Sequence, residues 1–320
     1  MLTLKQIQQW RTQGYVIVSN LIEKPLLDKC MDFLNYKYPS PDKACKGFGS
    51  DGGELEFPSG EFIDWITVHP NIIGGVRELL GHKDILLLQS DAWGKTGSSE
   101  KTAMSNQDQR MHMDYGNNTF LHPSDWHDPE AVANIVYLSD IKDTGGGTSV
   151  VPRLGDNDPL YLPPYINMPG QHGYAFYNDR ATAEEYMASV GGGVGKFRRK
   201  LYEREIITQP KAGDVLFYRL DIWHRGTPVK VGKVRNVMNL LWKKRKCHWI
   251  NAWNPGWPRN MYYGVVEELF TAMSPDQRTV LGIPAPGDAY WAAERLAQLR
   301  ARYPGIDLGP YEAKGAAAKL

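Results

Sequence analysis

The stretch KAGDVLFYRLDIWHRGTPVKVGKVRNVMNLLW, residues 211–242, holds two apolar runs, Asp214–Tyr218 and Val234–Trp242, with a glycine- and proline-marked connection between them. Both runs are short and rich in β-branched, aromatic and leucine side chains, which reads as strand. A third strand-like region ends in Trp223-His224-Arg225-Gly226. Upstream, Ile85–Trp93, Ala131–Leu138, Thr148–Val151 and Glu203–Ile207 have the same texture. Many strands joined by Gly- and Pro-rich turns predict a sandwich, barrel or jelly roll, not a parallel α/β sheet.

Helices flank this β region. Leu4, Ile7 and Trp10 recur at helical spacing between Thr3, an N-cap residue type, and Gly14. Tyr15–Ser19 reads as a strand, and helices are expected from about Lys24 to Tyr36 and from Pro70 to Gly81. Residues 39–60, dense in Gly, Pro, Ser and Asp, read as a long loop. Beyond Trp249 the chain returns to loops and helices, the last helix being Ala289–Arg302, with a frayed tail from Gly315 to Leu320.

Composition excludes some classes of function. Lys and Arg total 37 against 36 for Asp and Glu, so the chain lacks the basic excess of a nucleic-acid-binding surface. Cys30, Cys45 and Cys247 are odd in number and form no CxxC pair, which argues against a zinc ribbon or a disulfide framework. The opening MLTLKQIQQWRTQG is polar, and no run of eighteen apolar residues occurs. A cytoplasmic protein with reduced thiols and no membrane partner is expected.

His112-Met113-Asp114 is a His-x-Asp pair, and on a strand residues i and i+2 share a face. With His224 they supply two imidazoles and one carboxylate, the facial donor set of non-haem Fe(II) oxygenases, which leaves coordination positions open. A lone His-x-Asp arises often by chance. Arg235, eleven residues after His224, adds a guanidinium suited to a carboxylate such as the far end of 2-oxoglutarate. A surface ion pair is its ordinary alternative.

These features occur in an order that resembles the phytanoyl-CoA dioxygenase family of Fe(II)- and 2-oxoglutarate-dependent oxygenases. The resemblance runs over roughly residues 2–245. It is carried by LTLKQIQQWRTQGYVIV, PNIIGGVRELLG, His112-x-Asp114, GGGTSVVP at 145–152, KAGDVLFY at 211–218, His224 and Arg235. It implies a mainly β chain with flanking helices around a double-stranded β-helix (jelly-roll, cupin-like) core. Fe(II), 2-oxoglutarate and O2 are the implied cofactors, and a small molecule the substrate: a lipid or acyl group, an amino-acid-like compound or a natural product. His112, Asp114 and His224 then correspond to the metal ligands and Arg235 to the 2-oxoglutarate anchor. Thr148 and Gln109 match cofactor-facing positions, and Gln89 is a weaker candidate. On this basis one catalytic domain is expected. Residues of about 1–82 form N-terminal helices and a loop, about 83–245 the jelly roll, and about 246–320 a C-terminal helical extension.

The chain departs from the family in two places. Pro152 leads into Arg153-Leu154-Gly155 instead of Gly-Ser-His, and Gly226 stands where a serine is frequent. In related halogenases the carboxylate ligand is replaced, so Asp114 points to oxygen insertion and hydroxylation. Two other readings remain open. One is a cupin-like metalloenzyme that uses no 2-oxo acid, and the other a non-catalytic binding protein on the same fold. His122 and His127 read as loop histidines, GGGVGK at 191–196 as a flexible loop, and Arg198-Arg199-Lys200 and Lys243-Lys244-Arg245-Lys246 as solvated basic faces. Trp93, Tyr115, Trp126 and Trp242 make the predicted site region aromatic.

Overall fold

In the computed structural model the apolar runs become strands covered on both faces. The structure describes residues 1–37, 55–56, 62–67, 69–83, 85–97, 108–115, 121, 125–244, 246–247, 271, 275, 283–284 and 286–315. Strands β1 (Tyr15–Val18), β2 (Leu55–Glu56), β3 (Ile85–Thr96), β4 (Ala131–Tyr137), β7 (Val215–Tyr218) and β9 (Val234–Lys244) form the larger sheet. Their order is β1-β7-β4-β9-β3-β2. A smaller sheet, ordered β6-β5-β8, contains β5 (Thr148–Val150), β6 (Ile206–Ile207) and β8 (His224–Gly226). Every pairing is antiparallel. The chain is mainly β with flanking helices, a jelly-roll core as expected.

Strand alternation divides the larger sheet between two cores. Val215 and Phe217 of β7, Val132 and Val136 of β4, and Met238, Leu240 and Trp242 of β9 join the cluster under the N-terminal helices. Leu216 and Tyr218, Ala133 and Tyr137, and Val237 and Leu241 face the other way, into a second cluster shared with Met111, Met113, Val150 and Trp223. Burial on both faces explains why these strands read as near-continuous apolar runs.

The outer face is covered by α1 (Leu4–Gln13), α2 (Lys24–Lys37), α3 (Ile63–Thr67) and α4 (Pro70–Leu80), whose Trp10, Leu34, Ile66, Val76 and Leu79 fill the first cluster. Helix α1 begins at the expected cap: Thr3 and Gln6 form a capping box, and Gly14 closes the helix in the left-handed region. A short α5 (Ile141–Thr144) leads into β5.

Several expectations are corrected. Glu203–Ile207 is a strand only at Ile206–Ile207, because α7 (Val194–Arg204) runs through its first residues. The glycines at 191–193 join α6 (Arg180–Ser189) to α7, and the rest of GGGVGK is helix. Buried residues of α7 fall at Val194, Arg198 and Leu201, a helical spacing hidden in the sequence because its middle member is charged. Arg198 is no solvated residue. It is fully buried and donates to Glu184 (2.5 and 2.7 Å), Asn167 O (2.6 Å) and Met111 O (2.9 Å). Most of the 39–60 loop lies outside the described residues, but Leu55–Glu56 pairs with β3. The last long helix, α8 (Ala293–Arg302), starts four residues later than expected, and α9 (Gly309–Gly315) follows it. Both contribute to a third cluster with Leu121, Tyr290, Trp291 and Tyr311. The 316–320 tail and most of the chain between Trp249 and Pro284 lie outside the described residues. Among the described residues no helix is long and apolar enough to cross a membrane.

Candidate metal centre

Backbone hydrogen bonds place His112 before its side chain makes any contact. Its N–H donates to His224 O and the His224 N–H donates back to His112 O, both at 2.9 Å. The strand expected at His112 is therefore a single antiparallel bridge onto β8. Residues opposed in such a pair project their side chains to the same face. Asp114, two residues on, joins them. One ligand atom from each of His112, Asp114 and His224 lies within 4.8 Å of the others. His112 Nε2 is 3.6 Å from Asp114 Oδ1, and His224 Nε2 is 3.4 Å from Asp114 Oδ2. Among the described residues no other group of three His, Cys, Asp or Glu side chains is placed to share a metal ion.

The outer ring nitrogens set the tautomers. His112 Nδ1 lies 3.0 Å from Arg110 O, and His224 Nδ1 lies 3.1 Å from Ile222 O. A carbonyl only accepts, so each Nδ1 carries a proton and each Nε2 can turn its lone pair to the centre. Burial drives the His112 imidazole well below its ordinary pKa, helped by the charges of His224 and Arg110. Burial acts on His224 in the same direction, but the charge and hydrogen bond of Asp114 outweigh it and raise that ring. Burial alone would raise the Asp114 carboxyl; the two imidazoles and a hydrogen bond from Tyr218 hold it well below the usual carboxylate range. A divalent cation would take the place of the proton that Asp114 draws onto His224. Two imidazoles and a carboxylate fit Fe(II), with positions to spare.

A second polar site lies between the same two sheets. Arg235 of β9 and Lys95 of β3 are cross-strand partners, and both are buried. Arg235 donates to Gly146 O just before β5, and Lys95 Nζ donates to Thr227 O just after β8, at 2.8 Å. Two cations of the larger sheet thus reach across to the smaller one. Arg235 Nε is buried and has no hydrogen-bond partner among the described residues. Burial, then the charge of Arg235, holds the Lys95 amine down to about 7. Burial also lowers Arg235. Arg235 Nε is thus a buried donor that an anion between the sheets could use. Gly146 permits the close approach: its φ is 75°, and a Cβ there would stand 2.7 Å from Val229 Cγ2 and 3.2 Å from Arg235 Cδ.

The remaining sequence candidates are partly committed to protein partners. The Thr148 hydroxyl is 2.7 Å from the Tyr137 hydroxyl. Gln109 Oε1 accepts from the Gly226 N–H at 2.9 Å. A Cβ at Gly226 would lie 2.5 Å from that oxygen, so Gln109 takes the space that a serine would need. Gln89 donates to Asp91 Oδ2 at 3.1 Å. His127 pairs with Asp156 on the surface at 3.3 Å, and His122 lies outside the described residues. Arg153, one of the departures, stacks on Trp126 with 4.3 Å between guanidinium carbon and ring centroid. Lys95, Tyr137 and Tyr218 were not anticipated. Strand alternation held the signal for two of them, since Tyr218 lies two residues beyond Leu216 and Lys95 two beyond Trp93.

No protein-family profile matches the sequence, and no curated protein sequence does. Solved structures do match. EvdO2 from Micromonospora carbonacea var. aurantiaca superposes with a TM-score of 0.53 at 9% identity, over 76% of this chain and 91% of that one. HygX from Streptomyces hygroscopicus with iron bound gives 0.50 at 13%, over 77% and 88%. The epimerase SnoN in complex with Fe3+, alpha ketoglutarate and nogalamycin RO gives 0.50 at 16%, over 75% and 82%. The chain shares its fold with these proteins, two of which are described with iron in place.

Proposed function

We propose that this chain is an Fe(II)- and 2-oxoglutarate-dependent oxygenase of the cytoplasm that hydroxylates an unactivated C–H bond of a small molecule. The balance is R–H, 2-oxoglutarate and O2 giving R–OH, succinate and CO2. The observation that carries this is the convergence of His112, Asp114 and His224 within 4.8 Å, in a fold that buries Arg235 and Lys95 between the same sheets. SnoN, of like fold and described with Fe3+ and alpha ketoglutarate, supports the same cofactors.

His112, Asp114 and His224 would hold the iron, and Arg235 with Lys95 the far carboxylate of the 2-oxo acid. Bound there, iron with O2 would supply oxidative decarboxylation and cleavage of the C–H bond. The chain's own residues do the positioning. Arg110 O and Ile222 O fix the imidazole tautomers. Arg235 Nε offers the unused donor to a carboxylate. Thr148, through Tyr137, and Gln109 belong to the surrounding wall. Apolar Leu216, Val237 and Met113 in the same cluster keep water from the space between the sheets. Hydroxylation is the proposed outcome; SnoN, an epimerase, shows that a protein of this fold can have a different one. A cupin-like enzyme without a 2-oxo acid would leave the buried Arg235 Nε without its proposed acceptor.

The test is an anaerobic visible-absorption titration of Fe(II)-loaded protein with 2-oxoglutarate. A metal-to-ligand charge-transfer band is expected in the wild type. It should vanish in His112→Ala and need at least tenfold more 2-oxoglutarate in Arg235→Ala, the order of a lost charge-assisted hydrogen bond. A folded, iron-loaded wild type with no band would overturn the assignment.

A further inference from the structure

We infer that Tyr218 is a positioning residue for the candidate metal centre, engaging one oxygen of Asp114 so that the carboxylate meets the metal through the other. This rests on the metal-centre reading above and adds a residue outside the donor set.

The Tyr218 hydroxyl donates to Asp114 Oδ2 at 2.8 Å; that oxygen also lies 3.4 Å from His224 Nε2, while Oδ1 lies 3.6 Å from His112 Nε2 and has no phenol on it. Tyr218 is the one non-imidazole side chain among the described residues within hydrogen-bond distance of this carboxylate. The phenol arrives from the opposite sheet and has little freedom. Tyr218 ends β7, is paired on both sides through Tyr15 of β1 and Ala133 of β4, and is buried. Its ring packs against the His224 ring with centroids 4.9 Å apart. One side chain thus braces two members of the triad, from an element that carries neither of them.

The consequence follows from counting coordination positions. A facial triad leaves three of six positions, two for a chelating 2-oxo acid and one for O2. A carboxylate with both oxygens free can chelate through both, which removes one of those three. A hydrogen bond from Tyr218 to Oδ2 competes with that second contact and keeps Asp114 to one position. Groups that orient metal ligands in this way commonly carry 10–100-fold in metal affinity.

The experiment uses the full chain and Co(II), whose d–d absorption reports coordination number, so the readout does not depend on turnover. Wild type, His112→Ala and Tyr218→Phe are titrated with Co(II) and then with 2-oxoglutarate, with thermal unfolding of the metal-free proteins as a fold control. Tyr218→Phe is expected to bind Co(II) roughly tenfold more weakly, with an altered d–d spectrum and weaker 2-oxoglutarate binding. A Tyr218→Phe protein with wild-type affinity and spectrum would overturn the role of Tyr218 and leave the metal centre standing. A wild type that binds no Co(II), or binds it no better than His112→Ala, would overturn both. Should Tyr218→Phe not fold, a ring-fluorinated tyrosine at 218 keeps the size and changes the donor strength. The d–d bands are then expected to shift, and unmoved bands would overturn the inference.

Discussion

Lys95 and Arg235 are two cations that the fold buries side by side on neighbouring strands. Burial and the neighbouring guanidinium hold the Lys95 amine down to about 7, so near neutrality it is shared between charged and neutral forms. A bound carboxylate favours the ammonium and raises that pKa, so binding takes up a proton wherever free Lys95 is neutral. On the proposed function, affinity for 2-oxoglutarate is expected to be full below about 7 and to fall as pH rises through it. Dissociation constants of the Fe(II) protein measured across this range should show the decline, and Lys95→Met should bind weakly with a flat profile. A flat wild-type profile would show that Lys95 does not take part. Gly226 and Gln109 settle a second matter at this scale. A Cβ at 226 would meet the Gln109 amide oxygen at 2.5 Å, and that oxygen accepts from the Gly226 N–H, so a larger residue there would first have to displace Gln109.

The elements beside the site differ in how far the sequence disclosed them. Strands β4 and β7 were legible because both of their faces are buried, so nearly every residue is apolar, and β9 from its Val237–Met238 and Leu240–Trp242 segments. Helix α1 was legible from its caps. Helix α7 was not, because its buried face carries Arg198, and a charged residue at a core position disguises the period. That arginine bonds the backbone oxygen of Met111, next to His112, and so links α6 and α7 to the candidate metal centre. Arg198→Met should lower the free energy of unfolding by about 3 kcal/mol, the lower end for breaking a buried pair, since Glu184 keeps some access to water. Urea denaturation measures this. A loss below about 1 kcal/mol, the worth of an exposed pair, would mean that the burial of Arg198 is not needed to hold the two helices.

For the whole molecule, the jelly roll and the convergence of His112, Asp114 and His224 could be read from the sequence for different reasons. Repeated short strands with turn signals narrow the architecture to a few forms. His112, Asp114 and His224 stand out because their residue types have few other uses in combination. The second layer stayed hidden. Tyr218, Lys95 and Tyr137 act through contacts between two sheets, and such contacts depend on which strands face each other, which local pattern does not encode. The central claim is that one space between the sheets holds iron at one point and a 2-oxo acid anchored at another. Anomalous diffraction from crystals soaked anaerobically with Fe(II) and 2-oxoglutarate tests this most directly. The expected map has an iron peak bonded to Nε2 of His112, Nε2 of His224 and one oxygen of Asp114, with Tyr218 on the other oxygen and the far carboxylate of 2-oxoglutarate on Arg235. Iron bound elsewhere, or a 2-oxo acid whose far carboxylate lies away from Arg235, would contradict it.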